Sequence, residues 1–364
     1  MSQSPVSQTQ YPCSNCGASV AFAPGTTVLK CPYCGAETPL VPTGQPIREH
    51  AYAEFAGLPR KPVATVAAQI FTCQGCGAVT ESDKISDRCQ FCGAPLVAGV
   101  GSGGQVAPEG VLPFGIDRPV LREALRKWAS SRWFAPNGLK KVTEAESSHS
   151  TYLPHWTYDA RTQSQYQGQR GEHYFQTETY TDNGQTKTRQ VQHTAWHAAS
   201  GTVAHDFDDV LIVGTTRVTP KHLAALEPWP LPEAQSFRPE YLVGHETLRY
   251  DVEPEAGLGT AKSQMGQAIE EDCRHDIGGD EQRVESVNTD YHDVAFKLLL
   301  LPVWIACYLH AGKTYNILVN GRTAEVAGER PYSVAKIVAA IVAVLLVIAV
   351  IVVAIVLSRD GGSG

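Results

Sequence analysis

Eight cysteines arranged as four Cys-x-x-Cys pairs are the residues of this chain best suited to chemistry. The first module reads Cys13-x2-Cys16-x14-Cys31-x2-Cys34, and the second reads Cys73-x2-Cys76-x12-Cys89-x2-Cys92. Each pair is followed by glycine, at Gly17, Gly35, Gly77 and Gly93. Such a turn aims backbone amides at the sulfurs, and glycine accepts the positive φ the turn needs. Two turns of this kind can place four thiolates tetrahedrally around Zn²⁺. The eight cysteines are therefore the expected ligands of two structural zinc ions. With sulfur in all four positions, no coordination site is left for a catalytic water. A module of roughly thirty residues buries too little apolar surface to fold unaided. Structural zinc contributes on the order of 10–16 kcal/mol of apparent binding energy in small peptides. Iron in a rubredoxin-like site is the competing occupant. A thioredoxin-type redox pair would call for one Cys-x-x-Cys at a strand–helix junction rather than four with glycines.

The elements that position these residues lie in a chain of 364 residues, long enough for two or three domains. The net charge of −7 gives no global sign of a nucleic-acid partner. Two of the ten cysteines, Cys273 and Cys307, fall outside the pairs. The paired spacing points to metal thiolates in a reducing compartment rather than to disulfides. Within residues 1–100, Lys30, Arg48, Arg60, Lys61, Lys84 and Arg88 are balanced by Glu37, Glu49, Glu54, Glu81, Asp83 and Asp87. Phosphate binding normally needs a basic stripe, and none emerges. A protein partner is favoured for the ribbons over nucleic acid.

The expected organisation is a tail at 1–10, zinc ribbons at 11–41 and 69–98 joined by a linker at 42–68, and a Gly-rich linker at 99–110. An α+β region at 111–332 follows, then an apolar helix at 334–357 and a tail at 358–364. A short helix is expected around Arg48–Leu58. Asp117, with Pro119 after it, opens a helix that runs to Phe134 and repeats Val120, Leu121, Leu125, Trp128 and Ala129 at helical spacing. From Leu139 to Val213 the pattern alternates as in antiparallel strands, with a hairpin turn at Asn183-Gly184. Helices are expected at Pro220–Leu226 and from Pro254 to about His275, the second ended by Gly278-Gly279. Strands follow at Arg283–Val294 and Phe296–Tyr308, then a hairpin through Gly312 and Asn320-Gly321. Leu153-Pro154-x-Trp156 recurs as Leu301-Pro302-x-Trp304, each after a helix and a strand, which reads as a duplicated helix–strand–strand unit.

Ile337 to Leu357 is an unbroken run of Ile, Val, Ala and Leu. As a helix it would extend roughly 31 Å, against about 30 Å of bilayer hydrocarbon. Arg322, Arg330 and Lys336 precede it and only Arg359 follows. The expectation is one C-terminal transmembrane helix, with the N-terminal bulk in the cytoplasm. The bilayer and a cytoplasmic protein would then be the partners. Gly99-x-Gly101-x-x-Gly104 matches a dinucleotide fingerprint by letters but sits in a linker. Gly312-Lys313-Thr314 lacks the earlier glycine of a phosphate loop, because position 307 is Cys307. His193, His197 and His205, near Asp206, Asp208 and Asp209, could form a second metal site, although solvent-facing histidines on a strand are the plainer reading. No nucleophile–base constellation stands out, and an enzyme is not expected.

Several blocks together resemble a bacterial family of membrane-anchored zinc-ribbon proteins. These are often labelled relatives of the primosomal helicase PriA, or TFIIB-type zinc-ribbon proteins. The blocks are Cys31-Pro32-Tyr33-Cys34-Gly35, Cys89-Gln90-Phe91-Cys92-Gly93, Arg132-Trp133-Phe134-Ala135-Pro136 and Tyr152-Leu153-Pro154-His155-Trp156. Further along come Ser200-Gly201, Phe207-Asp208-Asp209-Val210-Leu211, Leu300-Leu301-Pro302-Val303-Trp304, Val319-Asn320-Gly321 and Gly328-Glu329-Arg330-Pro331-Tyr332-Ser333. No Walker motif is present, so helicase activity is not implied. The resemblance implies a membrane-tethered adaptor, single-pass in a bacterial inner membrane, that recruits cytoplasmic proteins, in some relatives linked to envelope stress. The alternative is a membrane-held regulator that binds nucleic acid.

Overall fold

A computed structural model describes residues 11–41, 44–56, 69–73, 76–98, 106–131, 148–182, 184–310, 313–328 and 334–360. Of the linkers expected at 42–68 and 99–110, residues 42–43, 57–68 and 99–105 lie outside these residues, as does the stretch 132–147. The protein is a mostly sheet α+β structure. Its centre is built from β1 (Gly110–Val111), α1 (Arg118–Ser130), β2 (His149–Asp182), β3 (Gln185–Val213) and β4 (Glu246–Thr247). The chain continues through α2 (Pro254–Ile277), β5 (Glu281–His310), β6 (Lys313–Asn320) and β7 (Val326–Gly328).

β2 pairs antiparallel with β3 on one side and with β5 on the other, and β5 pairs in turn with β6. The two Leu-Pro-x-Trp motifs face each other across the β2–β5 ladder. Leu153 is opposite Leu301, and Tyr152 is opposite Pro302. The neighbouring connections match. The Gly214 amide donates to the Pro154 carbonyl and the Gly321 amide to the Pro302 carbonyl, both at 2.8 Å. The Gly214 carbonyl accepts from Asp251 and Val252, just before α2, and the Gly321 carbonyl accepts from Gly115 and Ile116, just before α1. β1 runs parallel to β5, and β4 runs parallel to β2. Each half is thus a short strand, a helix and a long hairpin, and the two halves are related by a local two-fold near Leu153 and Leu301.

Local chemistry accounts for the elements. The Asp117 carboxylate accepts from the Val120 amide at 3.1 Å and caps α1, and Pro119 occupies its first turn. α1 buries Leu121, Leu125, Trp128 and Ala129, one face of an amphipathic helix. α2 buries Leu258, Ala261, Met265, Ile269, Cys273 and Ile277 at helical spacing, and Gly278 ends it at φ 63°. Gly257 lets α2 settle onto the sheet, because a Cβ there would collide with the Tyr158 hydroxyl. That hydroxyl donates to the Pro254 carbonyl at 2.7 Å.

β5 is one strand, where the alternation in the sequence suggests two. It continues through an irregularity opposite Asp159 and Arg161, with Asp293 at φ 50°. β3 has its own bulge opposite Tyr158 and Ala160, with Asp209 at φ 54°. Both neighbours of β2 therefore bend at the same level.

The membrane expectation is corrected. Residues Val334–Asp360 form a helix, α3, and the side chains of Ile341, Leu345, Ile348 and Val352 on it are exposed. Among the described residues, however, no helix is long and apolar enough to cross a membrane. The side chains at 353–357 lie outside the described residues. The transmembrane element, the single-pass inner-membrane placement and the bilayer partner are not supported by this structure.

Candidate metal centres

All four knuckles are built alike, from Cys-x-x-Cys-Gly-Ala. The amide of the first cysteine donates to the alanine carbonyl: Cys13 to Ala18 at 2.7 Å, Cys31 to Ala36 at 2.8 Å, Cys73 to Ala78 at 2.7 Å and Cys89 to Ala94 at 2.8 Å. The glycine amide donates back to the first cysteine's carbonyl, at 2.7 to 3.0 Å. Gly17, Gly35, Gly77 and Gly93 all sit at φ 70° to 75° with open space where a Cβ would be. Glycine is thus required by the backbone angle and not by crowding.

These turns bring the eight cysteine sulfurs into two groups of four, within which the ligand atoms lie within 4.8 Å of one another. Cys13 and Cys34 are 3.6 Å apart, Cys16 and Cys31 3.6 Å, Cys73 and Cys92 3.4 Å, and Cys76 and Cys89 3.7 Å. Four Zn–S bonds of about 2.3 Å in a tetrahedron would separate the sulfurs by about 3.8 Å. A disulfide would hold them near 2.05 Å. Each cluster could hold a metal ion, and the donor set and spacing are consistent with zinc.

The sulfurs are also prepared unequally. The Cys34 amide holds the Cys31 thiol down at about 6 against the cost of burial, and the Tyr33 amide helps. At Cys89, burial pushes the thiol up, but the amides of Cys92 and Phe91 outweigh it and the value again falls to about 6. Cys13 is lowered by the amides of Asn15 and Cys16. Cys16 goes the other way, to about 12: the Ala18 amide favours its thiolate, but the adjacent sulfurs of Cys34 and Cys31 outweigh that amide. Four thiolates in such a cluster require a cation among them, so metal binding releases protons.

The ribbons are not free beads. Val20, Phe22, Leu29 and Leu40 of the first share one core with Phe114, Tyr152, Trp304 and the buried face of α1. Phe71, Cys73, Cys89, Leu96 and Ala98 of the second form a small core of their own. Both ribbons grip the segment 243–247. From the first, the Phe22 amide donates to the Val243 carbonyl at 2.9 Å. From the second, the Ile85 amide donates to the Thr247 carbonyl at 2.8 Å, and the Ser86 hydroxyl donates to the His245 carbonyl at 2.9 Å. Lys84 pairs with Glu246 at 2.8 Å.

The histidines do not assemble a site. His193, His197 and His205 pair with Tyr174, Arg170 and Thr162 along β3, so four- and eight-residue steps separate them, about 13 and 27 Å at strand rise. His205 instead binds Asp272 on α2 at 2.7 Å and stacks on Phe207. Cys273 is buried among α2 core residues, where burial raises its thiol. Among the described residues, a third group that could hold an ion is Asp159, Asp208 and Asp209, at the double bulge. There the buried Lys297 ammonium pairs with Glu49 at 2.8 Å and with Asp209 at 2.7 Å. Asp159 is pushed up to about 6 by burial, although the Asp209 amide and Lys297 oppose the rise. The internal ammonium makes this an ion-pair network. No local pattern announces it, because Glu49, Asp159 and Lys297 are far apart in the chain.

Compared with known proteins, the chain matches no family model and no solved structure. It is 25% identical over 334 residues to the uncharacterised protein YdjG of Bacillus subtilis strain 168, covering 90% of this chain and 92% of that protein. The two four-cysteine clusters agree with zinc-ribbon-like sites, while membership of the PriA-labelled family is not confirmed by any of these matches.

Proposed function

We propose that this protein is a non-catalytic, zinc-dependent adaptor whose two ribbons present a surface to another protein. The observation that carries the reading is the pair of aromatic side chains at the tips of equivalent knuckles. Tyr33 and Phe91 each precede the last cysteine of their module and are 82% and 73% exposed. Large aromatics left in water at the ends of rigid turns are the side chains most often used as interface anchors. Sulfur in every ligand position argues for metal as scaffold rather than catalyst. The balanced charge of residues 1–100 argues against a phosphate backbone as the main partner.

The test is affinity capture with the full chain and with a Tyr33→Ala/Phe91→Ala double variant of equal zinc content and thermal midpoint. The reading expects a defined protein to be retained by the first and lost by the second. Equal capture by both, or salt-dependent binding of oligonucleotides in place of protein, would overturn it.

A further inference from the structure

Among the described residues no strand of one ribbon pairs with a strand of the other. Between them lies a groove of about 470 Å³ whose walls come from both modules and whose floor is Gly244. Ala21, Pro32 and Tyr33 line it from the first ribbon, and Arg88 and Pro95 from the second. The groove is rigidly built. Gly244 sits at φ 85°, and a Cβ there would meet the Ala21 Cβ at 2.7 Å, so the floor admits no side chain. The Arg88 Nη2 donates to the Gly244 carbonyl at 2.7 Å, which ties the guanidinium to that floor. The ribbons on either side are held by their separate bonds to Val243 and Thr247.

The chemistry of the lining is selective. Apart from Tyr33 and the metal-site Cys92, Arg88 is the one ionisable lining residue. Among the described residues no carboxylate forms an ion pair with its guanidinium. A guanidinium fixed by one of its nitrogens offers a planar fork suited to a carboxylate. The other walls are small side chains, two prolines and the Tyr33 ring. Such walls suit an extended, proline- or aromatic-containing backbone and leave little room for a helix.

We propose that the inter-ribbon groove binds an extended peptide segment of a partner protein, in which an Asp or Glu that pairs with Arg88 adjoins a proline or aromatic residue that packs on Tyr33. This rests on the adaptor reading and adds the partner's chemistry to it.

The experiment is a selection of random dodecapeptides displayed on phage against the full-length, zinc-loaded protein, repeated with Arg88→Gln and with Tyr33→Ala. The wild type should enrich peptides with an acidic residue next to Pro, Phe, Tyr or Trp. Changing that acid to its amide in the best peptide should weaken binding about tenfold or more, as expected for loss of a hydrogen bond between charged groups. R88Q should lose the acid-over-amide preference, while Tyr33→Ala should weaken all selected peptides and keep it. If R88Q folds poorly by zinc content and thermal midpoint, the Tyr33→Ala result and the acid-to-amide change on wild type still decide the matter. Absence of any enriched peptide, enrichment without acidic residues, or the same acid preference on folded R88Q would overturn the proposal. If those results came together with partner capture that still depends on Tyr33 and Phe91, this groove assignment would fall and the adaptor reading would stand.

Discussion

His245 should make the fold acid-sensitive in a way that a single substitution removes. The imidazole is buried where both ribbons meet the sheet, stacked 4.5 Å from Phe114 and close to Tyr152 and Phe22. Neither ring nitrogen finds a hydrogen bond of good geometry among the described residues, and the main chain of Phe22 gives only weak support to a proton. Burial, reinforced by Arg88, lowers its pKa from 6.5 to about 3. The folded state therefore refuses a proton that the unfolded chain accepts, and stability is lost as pH falls from about 6.5 toward about 3. At pH 5, some 1.5 units into that window, the loss amounts to about 2 kcal/mol relative to pH 7.5. The perturbation is His245→Phe, which keeps an aromatic ring in the stack and cannot titrate. Urea unfolding of both proteins at pH 7.5, 6.5, 5.5 and 5.0 yields the difference between them, from which all other titrations cancel. That difference should shift by about 2 kcal/mol in favour of the variant at the lowest pH, whatever constant offset the larger ring introduces. A pH-independent difference would refute the reasoning and mean that His245 carries a proton partner in the fold.

The other predictions concern the ion-pair network and the knuckles. Asp159 has its pKa raised to about 6, so its charge costs stability above that pH and costs nothing below about 4. Asp159→Asn should raise the free energy of unfolding in urea at pH 7.5 by about 1 kcal/mol once the shift is discounted for the partial exposure of the site, and the gain should vanish near pH 4. Lys297→Met should destabilise by about 3 kcal/mol at pH 7, because it leaves the Glu49 and Asp209 carboxylates without their buried cation. Equilibrium unfolding in urea would measure it. Gly93→Ala puts a Cβ at φ 74° in open space, so the cost should be the backbone term alone, about 1–2 kcal/mol. Metal release to a chromogenic chelator should then quicken at the second site and stay unchanged at the first.

What could be read from the chain beforehand was local. The Cys-x-x-Cys-Gly spacing carries its own geometry, since each knuckle closes within six residues. The Asp117 cap and the Gly278 stop are also decided by neighbours in sequence. The Leu-Pro-x-Trp repeat announced two similar units, but the letters did not say that the copies would lie against each other with Leu153 opposite Leu301. Strand length was misread at Ala295 because a bulge, with Asp293 in the left-handed region, disguises a continuing strand as a break. The histidines of β3 looked clustered by number, yet strand rise spreads them along an edge. The groove between the ribbons was invisible, since it depends on the segment 243–247 joining modules more than 150 residues away in the chain.

The metal content of the protein tests the central claim most directly. Full-length protein purified under reducing conditions, without added metal, should carry about two zinc ions per chain by elemental analysis. Chelation should release both together with loss of ribbon structure, and all eight ligand thiols should then become reactive. Protein that holds no stoichiometric zinc with its thiols reduced, and that keeps its N-terminal structure in chelator, would contradict the account.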